Sequence, residues 1–130
     1  MKALDTSVLL GLLEGSPAVR EQLRRLRGVE LATTEANFLE LAYLAGRGAR
    51  RTRSERIAAL ARLRRRITVL PIDNRSTEEA TRRIPSEGVD TAPLVLAMLG
   101  ALESSGCEEL LTMDPFAPQG KWRFKTRRIR

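Results

Sequence analysis

Four carboxylates in a basic chain stand where they could do chemistry: Asp5, Glu40, Asp90 and Asp114. Asp5 ends a short apolar run, Lys2 to Leu4, and is followed by Thr6, Ser7 and a second apolar run. Read as a strand and then a helix, this stretch puts Asp5 at the C-terminal end of the strand. In open α/β sheets that edge is where ligand crevices form. A carboxylate flanked by two hydroxyls suits a hard cation such as Mg²⁺, which prefers oxygen ligands. The same Asp also reads as the N-cap of the helix, a common role for Asp before an apolar run. Asp114 follows a second strand-like run, Leu110-Leu111-Thr112-Met113. Glu40 lies on a helical stretch, on a face with no other charge, where simple exposure is the bland alternative. Asp90 lies in a loop that leads into a helix. Gathered at one sheet edge, these acids would repel each other. A divalent cation relieves that repulsion, activates water and holds a phosphodiester for hydrolysis.

The rest of the composition narrows the chemistry. The 130 residues suit one domain with a sizeable core and include no His. A Ser-His or Cys-His pair and a His-ligated zinc are therefore excluded. Acid-base and metal chemistry falls to carboxylates, Lys, Tyr or bound water. Cys107 is the only cysteine, so no intramolecular disulfide forms. It reads as a small apolar filler in a reducing compartment, and a cytoplasmic location is expected. The strand-like N-terminus does not read as a signal peptide. The longest apolar run, Ala92 to Leu102, is too short to span a bilayer.

The net charge of +7, from 23 basic and 16 acidic residues, favours a polyanionic partner, nucleic acid first. Residues 47–66 hold nine Arg and one acid, Glu55, and the last ten residues hold six Lys or Arg. Arg47, Arg50, Arg51, Arg53, Lys121 and Arg123 are expected to flank the acidic cleft and bind nucleic-acid phosphates. The bland alternative is that they solubilise the domain or pack on a partner. Carboxylates at the centre and arginines at the rim describe a metal-dependent nuclease.

The elements that must position the acids read as alternating strands and helices. Ser16-Pro17 starts a helix with its apolar stripe on Val19, Leu23 and Leu26, and Gly28 ends it. Val29 to Thr33 is a second strand. Thr34 caps a helix over Glu35 to Ala45, whose expected core stripe is Phe38, Leu41, Ala42 and Ala45. Ile57, Leu60, Ala61 and Leu63 give the Arg-rich segment an apolar face. Ile67 to Ile72 is a third strand. Ser76 and Glu79 match a capping box for a short helix that Pro85 should stop. Pro93 opens a helix, with Thr91 or Ala92 near its cap. Leu94 to Leu102 is apolar on every side, so this helix should be the most buried. Trp122 and Phe124 alternate with charges as in a basic edge strand. The alternation predicts a single three-layer α/β/α sandwich with a mainly parallel sheet of four or five strands.

Three motifs carry a family resemblance. Leu4-Asp5-Thr6-Ser7-Val8-Leu9-Leu10 resembles the opening of PIN domains, including the VapC-type ribonuclease toxins. Thr33-Thr34 through Phe38-Leu39-Glu40-Leu41 is similar to that family's second acidic motif. Ala101-Leu102-Glu103 through Leu110-Leu111-Thr112-Met113-Asp114 is similar to its last. The resemblance runs over nearly the whole chain and implies Mg²⁺- or Mn²⁺-dependent hydrolysis of RNA. It assigns metal ligation to Asp5, Glu40 and Asp114, with hydrogen-bonding support from Ser7 and Thr112. It further implies a homodimer and a small antitoxin that blocks the site.

The chain departs from the pattern at one place. The family's third acid should open the last buried helix, where this chain has Pro93-Leu94. Asp90, four residues earlier, is the nearest acid and the expected substitute. The departure keeps a second reading open: a catalytically weakened module that binds RNA or a protein partner. A phosphoacceptor role for Asp5 is disfavoured, because the phosphatases that use one want an Asp at position 7, here Ser.

Overall fold

Five short strands, each three or four residues long, lie side by side and all parallel in the order β3-β2-β1-β4-β5. They are β1 (Lys2–Leu4), β2 (Leu31–Thr34), β3 (Thr68–Leu70), β4 (Glu109–Thr112) and β5 (Lys125–Arg128). Among the described residues six helices connect them: α1 (Thr6–Leu13), α2 (Pro17–Arg25), α3 (Glu35–Gly46), α4 (Arg50–Arg66), α5 (Asn74–Glu87) and α6 (Pro93–Ser104). The computed structural model describes residues 1–47, 50–87, 91–115, 118 and 120–130, with Arg50 and Arg51 as helix backbone only.

The period of two along each strand splits its side chains between two cores. Leu4 and Leu111 point into the larger one with Val8, Leu9, Phe38 and Leu41. Ala3 and Leu110 point to the opposite face with Leu99, Leu102 and Phe124. Helices cover both faces, as an all-parallel sheet requires. The expected three-layer α/β/α sandwich is thus observed, with five strands and every pairing parallel. Among the described residues no helix is long and apolar enough to cross a membrane.

Several local expectations are corrected. The box at the start of α5 is Asp73 with Ser76, not Ser76 with Glu79. Asp73 Oδ1 accepts the Ser76 N–H at 3.0 Å and Ser76 Oγ accepts the Asp73 N–H at 2.7 Å. Pro85 lies inside α5 and does not end it. The helix continues to Glu87, whose buried carboxylate accepts the Gly120 N–H at 2.5 Å and the Trp122 indole N–H at 2.8 Å. Those bonds reward the extra turn and offset the one backbone bond that Pro85 removes. Ala42 is exposed rather than in the core stripe. In α6 the buried stretch is Met98 to Glu103, while Leu94 in the first turn is 42 % exposed. Trp122 and Phe124 stack on each other ahead of β5, with ring centroids 5.7 Å apart, and do not lie in the strand.

Residues 120–123, just ahead of β5, are held by a charged clamp. Glu103 is buried in α6 and accepts Arg83 Nη2 and Arg123 Nε, both at 3.0 Å, and the Arg123 N–H at 2.9 Å. Arg83 also pairs with Glu79 and lies 5.1 Å over the Trp122 ring.

Candidate active site

The strand order reverses direction at β1. From β1 the chain winds outward through β2 to β3, then returns to place β4 on the other side of β1. Such a switch point leaves a crevice beyond the C-terminal ends of the two strands. Asp5 leaves β1 there and Asp114 follows β4 there.

Hydrogen bonds fix both strand ends. The Asp5 N–H donates to the Leu111 carbonyl at 3.2 Å. Asp5 Oδ1 accepts the Val8 N–H at 3.1 Å and the Ser7 hydroxyl at 2.5 Å. The first bond makes Asp5 the N-cap of α1. Ser7 Oγ accepts the Met113 N–H at 2.8 Å, which directs its own proton to Asp5 and ties α1 to the end of β4. Thr112 Oγ1 lies 3.4 Å from Ser7 Oγ and accepts the Asp114 N–H at 3.1 Å. Ser7 and Thr112 are thus the two hydroxyls at the Asp5–Asp114 junction.

Asp5 is only 8 % exposed. Burial pushes its carboxyl above the usual range, and hydrogen bonds from Ser7, Thr112 and Val8 oppose the shift without cancelling it. The negative charge of Asp114 adds to the upward push.

A cleft of about 200 Å³ opens at this junction. Its polar wall is Asp5, Thr6, Ser7, Asn37, Glu40 and Asp114, and its apolar wall is Ala36, Leu94, Val95 and Met98. Three of the four acids singled out in the sequence therefore line one cleft. Asp90 lies outside the described residues. Among the described residues no three acids are close enough to share a metal ion. A cation here would rest on a pair of carboxylates, completed by water and substrate oxygens, which is how Mg²⁺ is commonly held. The donors fit such an ion: they are carboxylates and hydroxyls, with no imidazole or thiolate. Cys107 belongs to the core, its thiol pushed up by burial.

The basic residues are placed differently. None of Arg47, Arg53, Lys121 and Arg123 lines the cleft, and the side chains of Arg50 and Arg51 lie outside what the structure describes. Arg123 pairs with Glu103 while its side chain stays largely exposed, and the Arg47 guanidinium lies 5.7 Å over the Tyr43 ring. Arg128, not singled out before, donates to the Met113 carbonyl at 3.4 Å, next to Asp114.

Asn37 was also missed. It is buried, accepts the Thr34 hydroxyl at 2.7 Å, and donates to Thr6 Oγ1 at 3.1 Å and Met98 Sδ at 3.2 Å. One side chain thereby joins α1, α3 and α6, the helices that carry the cleft. Its sequence signal was faint, because an Asn three residues after a Thr cap reads as ordinary polarity of a helix start.

Residues 2–114 match the PIN domain family model. The chain belongs to the PIN domain family. The fold of this PIN domain is shared with solved toxin-antitoxin structures. VapBC2 from Rickettsia felis, bound to a DNA fragment from its promoter, matches with a TM-score of 0.79 at 11 % identity over 99 % of this chain and 98 % of that chain. VapBC-5 from Mycobacterium tuberculosis matches with a TM-score of 0.70 at 21 % identity over 98 % of each chain. The sarcin-ricin loop cleaving toxin VapC20 from the same organism matches with a TM-score of 0.65 at 17 % identity over 88 % of this chain and 91 % of that chain. No curated protein matches the sequence.

Proposed function

We propose that this PIN domain, a single domain of 130 residues, is a metal-dependent endoribonuclease and the toxin of a toxin-antitoxin pair. The observation that carries the reading is the convergence of Asp5, Glu40 and Asp114 on one cleft at the switch point of a parallel sheet. Asp5 and Asp114 would hold Mg²⁺ or Mn²⁺, with Glu40, on the same cleft wall, meeting the ion only through a bound water. When bound, the ion would activate water and neutralise the phosphate charge. Ser7 keeps the Asp5 carboxylate oriented through its bond to Oδ1, and the Met113 N–H fixes Ser7 in turn. Asp90 is proposed to add a fourth carboxylate.

Side chains outside the cleft support a protein partner. Leu39 and Tyr43 on α3 and Ile57 on α4 are each more than half exposed. A groove of about 190 Å³ between α1 and α4 is lined by Leu12, Leu13, Ala59 and Leu63, with Arg62 and Arg66 beside them. Apolar surface of this kind marks association sites, and the arginines favour an acidic occupant. A second copy of the chain and an antitoxin segment are the partners proposed for these surfaces.

The test is hydrolysis of RNA by the purified chain with added Mn²⁺ or Mg²⁺. Cleavage is expected, with Asp5→Asn abolishing it and Asp90→Asn reducing it. Well-folded wild type that cleaves no RNA would favour the second reading, a module that binds RNA or protein. Leu94 at the family's third acidic position and the lack of a three-acid cluster among the described residues are what favour that reading.

A further inference from the structure

The cleft has two chemistries. One wall carries carboxylates and hydroxyls, while the first turn of α6 presents Leu94 and Val95 beside Met98 and Ala36. Single exposed leucines are ordinary on protein surfaces. Leu94 differs in its setting: it is 42 % exposed, lies at a cleft mouth and continues into apolar side chains that are partly or fully buried. The wall is also held in place. Pro93 sets the first turn of α6, and Asn37 fixes the Met98 sulfur through a bond at 3.2 Å. At about 200 Å³ the cleft is smaller than the pockets of roughly 300–1,000 Å³ that enclose drug-sized ligands. A flat single ring system suits it better than a duplex edge.

An RNA strand presents both matching chemistries at each nucleotide, a phosphate on one side of the ribose and an apolar ring face on the other. Paired bases are stacked and hide that face, so recognition of a base requires it unpaired. Enzymes that accept an extruded base place it against aromatic or apolar side chains. We infer that the Leu94 wall seats one unpaired nucleobase next to the phosphate that a cation at Asp5 and Asp114 would hold. Leu94 is then a specificity-determining residue. This inference rests on the ribonuclease reading above.

The test is binding, not turnover. A short fluorescent single-stranded RNA is titrated with the intact protein, with Ca²⁺ in place of Mg²⁺ to prevent cleavage. The same RNA is then used with one abasic site moved along its length. One abasic position should weaken binding about 5- to 10-fold, the low end for a seated base. Leu94→Ser should weaken the intact RNA by the same factor and erase the difference between intact and abasic strands. Leu94→Phe, with a better stacking surface, should tighten the intact RNA only. RNA that binds equally with and without each base, and equally to Leu94→Ser, overturns the inference while leaving the ribonuclease reading in place. The wall would then belong to a protein partner. Failure to bind any RNA overturns both.

Discussion

Asp5 serves two roles that oppose each other. As a cap it stabilises α1, and as a buried acid beside Asp114 it is costly to ionise. A carboxyl raised in the folded state holds its proton more tightly folded than unfolded. Between the ordinary and the raised value the folded chain binds more protons, so stability rises as pH falls through that window. Above the window the ionised Asp5 weighs against folding. Asp5→Asn keeps an oxygen for Val8 and Ser7, so it should raise Tm in cation-free buffer at neutral pH, with the gain shrinking as pH drops. Thermal melts over a pH series check this, and a lowered Tm at every pH would make Asp5 a cap alone. Leu94→Asp should cost about 1 kcal/mol in cation-free buffer, because the side chain is 42 % exposed but the new carboxylate joins Asp5 and Asp114 in the cleft. It should also strengthen Mn²⁺ binding in calorimetry by adding a carboxylate to the cleft wall. At this scale the sequence was legible in part. Asp5 read equally as cap and as site acid, and it is the cap while lining the cleft. Leu94 read as buried because composition reports how apolar a helix is, not which turn projects into a cleft.

Two features at the scale of elements depend on α5 and α6 lying close together. A Cβ added at Gly100 would run into the Ser76 carbonyl of α5. Gly100→Ala should therefore cost about 1–3 kcal/mol by forcing the helices apart, read as a drop in the urea midpoint. Glu103→Ala would remove the carboxylate that holds Arg83 and Arg123. Because Arg83 keeps Glu79 as a partner, the loss should be near the lower end for a broken buried pair, about 3 kcal/mol. The first four strands, the Ser16 and Thr34 caps and the Pro93 start were legible from local rules of capping and periodicity. The clamp was not, since Glu87 and Glu103 find their partners at Gly120, Trp122 and Arg123 through the fold. For the same reason Pro85 was misread: the contact that justifies continuing α5 is 35 residues away along the chain.

Alternation of strand and helix was enough to read the parallel sandwich of the whole molecule, and the switch point between β1 and β4 then brings distant acids to one crevice. The charge pattern was less informative. Arg123 pairs with Glu103 through a guanidinium that is 81 % exposed, so Arg123→Ala should cost no more than about 1 kcal/mol of stability and is expected to weaken RNA binding as well. RNA binding by the remaining basic surface should fall with salt by about 0.7 log unit per log salt for each phosphate neutralised, as titrations across a salt series will measure. The central claim is that the acidic cleft is a divalent-cation site. Its most direct test is a crystal of the protein soaked in Mn²⁺, with anomalous scattering recorded. The account predicts a peak in the cleft at ligand distance from Asp5 and Asp114, about 2.1 Å if it is held as Mg²⁺ would be, and no peak in Asp5→Asn. An empty cleft at saturating Mn²⁺, or a peak only elsewhere on the surface, would contradict it.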